Sequence, residues 1–263
     1  MKKNYGYYLI NLDRAKDRLK LMTKEFEKNN IEFNRIPAID YKEININSYS
    51  IKNLYDRDLV PGEIGCYLSH LKTLKIFLNS SEEFAIILED DAILEQNFDE
   101  VIYKTINSYN ELDDSNKWDI LKLKNGKRRN IKIKNIDDRY FIGACGTSIP
   151  ITTIGAIWTR SAAKKFLNKV GYDTPIIRRP IDCELQHPWE YDLLIYNLLP
   201  SVIKTAEFET QIQIDKNLRK SNFIKQISYE VKRIIPKYSY LIKRHGLKKF
   251  YMSFIAKKTE KVL

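Results

Sequence analysis

The sequence predicts an α/β layered fold with a largely parallel sheet. Two observations carry this. Apolar runs of strand length alternate with segments whose apolar residues recur every three or four positions, the pattern of strands joined by crossover helices. Of the 263 residues, 43% are hydrophobic, enough for the core of one large domain or of a domain with an appendage. No internal repeat or low-complexity tract interrupts the alternation.

Tyr5–Leu12 reads as a first strand. Asp13–Asn29 follows as a helix, with Asp13 as N-cap and Leu19, Met22 and Phe26 at helical spacing. Glu32–Ile36 is a second strand, ending at Pro37. Residues 40–60 are polar and irregular. Pro61 and Gly62 open a helix to Leu78, whose core stripe is Ile64, Leu68, Leu71, Leu74 and Leu78. Phe84–Leu88 is a buried strand, Phe98–Tyr109 a helix, Trp118–Leu123 a strand and Lys124–Lys134 a basic loop. Thr152–Trp158 reads as a strand, Ser161–Val170 as a helix capped by Ser161, Glu190–Leu198 as helical and Ser201–Thr205 as a short strand.

The strand Phe84–Leu88 runs straight into Glu89, Asp90 and Asp91. Carboxylates at the end of a buried strand repel one another and call for a counter-charge, which a divalent metal supplies. Oxygen ligands suit Mg²⁺ or Mn²⁺ bound together with a substrate's phosphates. The alternative is a solvated acidic turn. In an open parallel sheet, ligands bind at the carboxyl ends of the strands, which is where these acids, and Asn11 and Asp13, fall. Arg14 and Arg18, four residues apart near a helix start, form an anion site or pair with nearby acids. His70 lies one residue off its helix's apolar stripe, as a ligand or a packing residue. Gly143–Ser148 is a small-residue loop without phosphate-loop character. Pro180–Asp192 gathers Asp182 as a general-base candidate, His187 as a further metal ligand, and Trp189 and Glu190 on the acceptor side. Glu184, Glu190 and Asp192 are alternative bases. The same segment also reads as a helix entry with Trp189 in the core.

Taken together, Tyr8-Leu-Ile-Asn-Leu-Asp-Arg14 with Arg18, Gly62-Glu-Ile-Gly-Cys-Tyr-Leu-Ser-His70, Leu88-Glu-Asp-Asp91, Cys145-Gly-Thr147 and Pro180-Ile-Asp182 resemble glycosyltransferase family 25 in order and spacing over residues 5–205. This is the family of bacterial lipooligosaccharide galactosyltransferases, related to collagen galactosyltransferases. The resemblance implies a GT-A-type, Rossmann-like nucleotide-sugar-binding domain over residues 1–216. It implies UDP-galactose as donor, Mn²⁺ (or Mg²⁺) as cofactor, inversion at the anomeric carbon and a lipid-linked lipooligosaccharide acceptor. It places Asn11, Leu12, Arg14, Arg18, Ser69, His70, Glu89, Asp90, Gly146 and Thr147 against the donor, with Asp90 on the ribose. It makes Asp91 the metal ligand and Asp182 the base. Family members continue Cys-Gly-Thr directly into a small-aromatic pair and a strand. Here Ser148–Ile154 intervenes before Gly155, where acceptor contacts are expected, which leaves the acceptor open.

The net charge of +11 sits in one place. Residues 217–263 hold thirteen Lys/Arg against two acids, 13 − 2 = +11, so residues 1–216 are neutral. Ile224, Ile227, Val231 and Ile234 recur at helical spacing among lysines up to Pro236, which is expected to break the run. Such a basic amphipathic helical tail reads as an element for an anionic membrane surface, or as one that packs back on the domain. The three cysteines have no close spacing and fit a reducing cytoplasm. No apolar stretch approaches a secretory or membrane-spanning segment, so the expected place is the inner face of the cytoplasmic membrane. Competing readings are a metal-dependent phosphoester or nucleotide-sugar hydrolase and a glycosidase with two metal-free carboxylates. A nucleic-acid binder comes last, because the neutral body offers no basic groove.

Overall fold

The structure, a computed structural model, describes residues 3–43, 45–126, 130–145, 149–206 and 223–255. The chain opens β1 (Tyr5–Asn11), α1 (Lys16–Lys28) and β2 (Asn34–Pro37), followed by the short β3 (Ser50–Ile51). Then come α2 (Pro61–Leu78), β4 (Phe84–Glu89), β5 (Ala92–Leu94), α3 (Phe98–Tyr109) and β6 (Ile120–Lys122). β7 (Asn130–Asn135), β8 (Phe141–Cys145), β9 (Gly155–Thr159) and α4 (Arg160–Val170) follow. The last elements are β10 (Ile176–Ile177), α5 (Ile181–Glu184), β11 (Ile195–Leu199), β12 (Ile203–Thr205) and α6 (Phe223–Ile255).

The central sheet has eight strands in the order β2-β1-β4-β9-β6-β11-β8-β7. β2, β1 and β4 are mutually parallel, as are β6 and β11. β9 runs antiparallel between β4 and β6, and β8 antiparallel to β11. The expected mostly parallel α/β sheet is therefore present, with two reversed strands, and a helical C-terminal part follows it. Side chains alternate across the sheet because successive strand residues point to opposite faces. Tyr5, Tyr7 and Leu9 join Met22, Phe26 and Phe98 in one core, whereas Tyr8 and Ile10 join Ile64, Tyr67, Leu68 and Phe166 in the other. Helices α1 and α3 thus cover one face, and α2 and α4 the other.

Several local expectations differ. α1 starts at Lys16 with Ala15 as its N-cap; Asp13 pairs with Arg35 instead of capping. α4 is capped by Thr159, whose Oγ1 accepts from the Ala162 amide at 3.0 Å, not by Ser161. The expected basic loop contains β7, whose Ile131 and Ile133 pack against the core beside β8. The expected helix over residues 190–198 is instead β11 in the sheet interior, since a continuous apolar run suits either state until its neighbours decide. α6 passes through Pro236 without ending and bends at Gly246, where φ is 73°. Only the Pro236 N–H is lost there, and the residue is exposed. The boundary expected at residue 216 lies outside the described residues.

Candidate active site

Parallel pairing sets the site. Ile10 of β1 lies opposite Glu89 of β4, so Asn11 and the Glu89–Asp91 acids leave the sheet at one edge. Lys122, at the end of β6, reaches the same edge opposite Ala156 of β9. Helix α2 closes the site from one side. A Cβ on Gly65 would lie 2.7 Å from the Ile39 carbonyl, so only glycine lets that loop approach. Ser69 fixes the loop, its Oγ accepting from the Ile39 amide at 2.8 Å and donating to the Gly65 carbonyl at 2.7 Å. One residue on, His70 turns its Nε2 to within 3.0 Å of Glu89 Oε1.

The three consecutive acids live in different surroundings. Asp90 accepts from Asn11 Nδ2 at 2.7 Å and from Arg18 Nη1 at 3.1 Å. Asn11 is itself held, its Oδ1 accepting from Arg35 Nε at 3.0 Å. Burial pushes the Glu89 carboxyl up, but the His70 hydrogen bond and charge outweigh it, and the group sits below its ordinary value. Asp91 has less help, the Arg18 charge only partly offsetting its neighbours. Its Oδ1 is buried without a hydrogen-bond partner, and burial followed by repulsion from Glu89 and Asp90 raises its pKa to about 6.

Two cavities meet at these acids. One, of about 310 Å³, is lined by Leu12, Arg14, Arg18, Asp40, Ser69 and His70 together with all three acids. The other, of about 290 Å³, is lined by Asp182, Glu63, Thr152 and Thr153, and shares Cys66, Glu89, Asp91 and Thr205 with the first. The first cavity holds the cations Arg14 and Arg18; among the described residues, no Lys or Arg lines the second. Arg14 Nε lies 2.5 Å from Asp40 Oδ2. Burial pushes Asp40 up, yet Arg14 and the Lys42 amide hold it below the usual carboxylate range. Arg14 and Arg18 thus line the cavity and are also paired with acids.

The expected residues are only partly brought together. Asn11, Leu12, Arg14, Arg18, Ser69, His70, Glu89, Asp90 and Asp91 lie at or around the first cavity, and Asp182 faces the second. Gly146 and Thr147 lie outside the described residues. His187 is not beside Asp91. It lines a different groove against α6, with Nδ1 2.9 Å from the Cys183 carbonyl and Nε2 3.3 Å from the Tyr229 hydroxyl. Burial and then the Arg179 charge hold it neutral, its pKa lowered to about 3. Both ring nitrogens being engaged, His187 packs and does not reach a metal at Asp91. Trp189 and Glu190 line the same distant groove, so they do not flank Asp182. Trp189 packs against His187 with the rings tilted at 58°, and Glu190 is tied to Arg179 at 2.8 Å. The alternative bases are committed as well: Glu184 to Arg179, and Asp192 to Arg244.

Sequence reading missed Lys122. It is fully buried, and its Nζ donates to the Thr152 carbonyl at 2.6 Å. Burial lowers its pKa to about 8, while Asp182 and Glu89 pull the other way. The available signal was a lysine inside the otherwise apolar strand Ile120–Leu123. Asp40 was missed too, because it carries no motif, and Cys66, although it lies within the Gly62–His70 motif, was given no role.

The residues fit a hard divalent cation. Formal charges lining the first cavity are two arginines against Asp40, Glu89, Asp90 and Asp91, 2 − 4 = −2, hostile to a diphosphate unless a cation is added. Asp91, with a buried and unpartnered oxygen, is the residue that lacks one. Cys66, His70 and Glu89 also offer ligand atoms within 4.8 Å of one another. Burial and the neighbouring acids hold the Cys66 thiol well above its ordinary value, so the oxygens of Asp91 and Glu89 are the better donors for Mg²⁺ or Mn²⁺.

An open α/β sheet thus carries, at its strand ends, one cavity lined by two arginines and an adjoining one lined by Asp182, both sharing Glu89 and Asp91. The model of "Glycosyltransferase family 25 (LPS biosynthesis protein)" matches residues 4–184, and the chain belongs to that family. It is 27% identical over 177 residues to a "Glycosyltransferase 25 family member" of Anopheles gambiae, a match covering 62% of this chain and 28% of that one. It is 28% identical over 134 residues to "Procollagen galactosyltransferase 2" of Homo sapiens, covering 46% of this chain and 20% of that one. A "Putative glycosyltransferase" of Haemophilus influenzae is 34% identical over 99 residues, covering 36% and 35%. The matches span less than a third of the length of the first two relatives.

Proposed function

We propose that this protein is a metal-assisted, inverting glycosyltransferase that moves a hexose from a nucleoside-diphosphate sugar onto a glycan hydroxyl. The observation that carries the reading is the pair of cavities sharing Glu89 and Asp91, one with two arginines and the other with Asp182 and, among the described residues, no Lys or Arg. The nucleotide sugar occupies the first cavity, with Arg14 and Arg18 toward the phosphates and Asp90, held by Asn11 and Arg18, toward the ribose. Its anomeric carbon lies at the shared wall. The acceptor enters the second cavity, where Asp182 takes the proton of the attacking hydroxyl as the new glycosidic bond forms and the nucleoside diphosphate departs on the opposite side. A metal at Asp91 supplies electrostatic stabilisation of the charge growing on the leaving phosphate. Asp182 suits the base role because it faces the second cavity and forms no ion pair among the described residues, while the Cys183 amide, at 2.7 Å, and the Cys183 thiol hold it in place.

Galactose from UDP-galactose is the donor we favour, on the strength of the procollagen galactosyltransferase relative. A lipooligosaccharide acceptor is favoured by the description of the family model. The test is a screen of UDP-sugars with Mn²⁺ against oligosaccharide acceptors. UDP-galactose consumption with a new β-linked product supports the reading. Metal-dependent hydrolysis of phosphodiesters with no sugar transfer would replace it with the hydrolase reading.

A further inference from the structure

Helix α6 has its amphipathic faces arranged the opposite way to a helix that packs for stability. Most residues that bond to the body are polar, with Leu241 beside them against Ile149 and Pro188. The Tyr229 hydroxyl lies 3.3 Å from His187 Nε2, and Arg233 Nη2 donates to Gln186 Oε1 at 3.3 Å. Further along, the Tyr240 hydroxyl donates to the Leu193 carbonyl and Arg244 pairs with Asp192. Positions 229, 233, 240 and 244 share one face at a 3.6-residue period. The residues offset by half a turn are apolar and face solvent: Ile227 is 47% exposed, Val231 58%, Ile234 47% and Ile235 76%. A contiguous exposed apolar stripe of this kind marks an interaction surface.

The charges flanking the stripe choose its partner. Residues 223–255 contain eight Lys/Arg and one acid, Glu230. Lys225, Lys232 and Lys243 are exposed and form no ion pair among the described residues; they lie between the stripe and the body-facing side, Lys225 and Lys232 at the rim of the groove shared with Tyr229 and Arg233. A second copy laid on the stripe would bring the same lysines face to face, which like-charge repulsion opposes. An anionic lipid surface satisfies both features, taking the isoleucines and valine among its acyl chains and the lysines among its phosphates. No helix among the described residues is long and apolar enough to cross a membrane, so α6 would lie along the surface. We infer that α6 docks this protein on an anionic membrane surface through Ile227, Val231, Ile234 and Ile235, with Lys225 and Lys232 at the lipid phosphates.

Co-sedimentation of the full chain with phosphatidylcholine vesicles, with and without phosphatidylglycerol, tests this independently of any transferase activity. The expected result is binding to the phosphatidylglycerol vesicles alone, weakened by salt. Ile227→Ser with Val231→Ser abolishes it. Lys225→Gln and Lys232→Gln each reduce it about fivefold. Failure of the unaltered chain to bind either vesicle, or equal binding to both, overturns the inference. So does a dimer by light scattering that the Ile227/Val231 variant dissolves, because a second copy then covers the stripe. A clear fall in the variant's melting temperature overturns it as well, because the stripe is then covered by this chain itself.

Discussion

The two cavities that meet at Glu89 and Asp91 differ in how their acids are neutralised. In the larger one nearly every carboxylate has a partner: Asp40 has Arg14, Asp90 has Asn11 and Arg18, and Glu89 has His70. In the smaller one Asp182 has no ion pair among the described residues and meets only the amide and thiol of Cys183, while the buried Lys122 bonds to the Thr152 carbonyl. Asp91 belongs to both; its buried Oδ1 has no hydrogen-bond partner, and the Arg18 charge offsets its acidic neighbours only in part. The difference separates two tasks. A paired acid holds a shape for binding, whereas an unpaired acid is available to take a proton or a cation.

The largest test of this contrast is Asp91→Asn. If Asp91 supplies the cation's carboxylate, transfer falls by about 10³–10⁴-fold, the worth of several kcal/mol of charge stabilisation. EDTA lowers the unaltered enzyme's rate to a similar level and has little further effect on the variant. Retained metal-dependent turnover in a folded Asp91→Asn protein would remove Asp91 from the metal. The same variant carries a second readout, on stability. Because the folded pKa of Asp91 is raised to about 6 from 3.8, metal-free stability falls as pH rises through that interval. Above it, the asparagine variant melts higher without metal, by on the order of 2 kcal/mol.

Asp182→Asn comes next and sharpens the division between the cavities. Transfer to a glycan acceptor falls by about 10³-fold, while donor binding, read by nucleotide titration, stays within about twofold. Glu184→Gln is the control from the same segment. Glu184 is fully buried against Arg179, so its loss shows in melting temperature and not as a selective loss of acceptor turnover. Equal loss of donor binding and transfer in Asp182→Asn would place Asp182 on the donor side.

Much of the larger cavity was legible in the sequence and little of the smaller one. Acids at the end of an apolar strand, and a helix opened by Pro61 and Gly62, announce themselves by local pattern, and both stand where expected. Pro180–Asp192 misled because its acids and aromatics are close in sequence but point to three places. Asp182 faces the cavity, Glu184 the buried Arg179, and His187, Trp189 and Glu190 the groove under α6. A short irregular segment has no fixed period, so spacing says nothing about direction. Lys122 was invisible for a related reason: its role comes from β6 lying two strands from β4, a fact of sheet order rather than of sequence. α6 shows the limit from the other side. Its apolar period was plain, but which face would meet the body was not, and the polar face won through Tyr229, Arg233, Tyr240 and Arg244.

Gly65→Ala probes the wall of the larger cavity. A Cβ 2.7 Å from the Ile39 carbonyl forces the loop away from α2 and strains the Ser69 hydrogen bond to the Ile39 amide. A cost of about 1–3 kcal/mol is expected in melting experiments. It should be accompanied by a rise in the donor's KM larger than any fall in kcat, because the loop carries Asp40. An unchanged donor KM would show that the loop's position does not matter to the nucleotide.

Lys122→Met gives the smallest effect and bears on both cavities at once. Burial lowers the pKa of Lys122 to about 8 from 10.5, so the folded state binds fewer protons than the unfolded state between those values. Stability of the unaltered protein therefore rises with pH across that interval, and below it the charged lysine is a standing cost. Methionine has similar length and no charge, so the variant should be more stable at neutral pH by about 1–3 kcal/mol and should lose the rise between pH 8 and 10.5. Removing the buried cation that helps keep Glu89 ionised should at the same time lower transfer and shift its acid limb upward, since Glu89 then holds its proton to higher pH. A variant that is more stable with an unaltered pH profile would confine Lys122 to packing, and the counter-charge for the two cavities would then have to come from the metal alone.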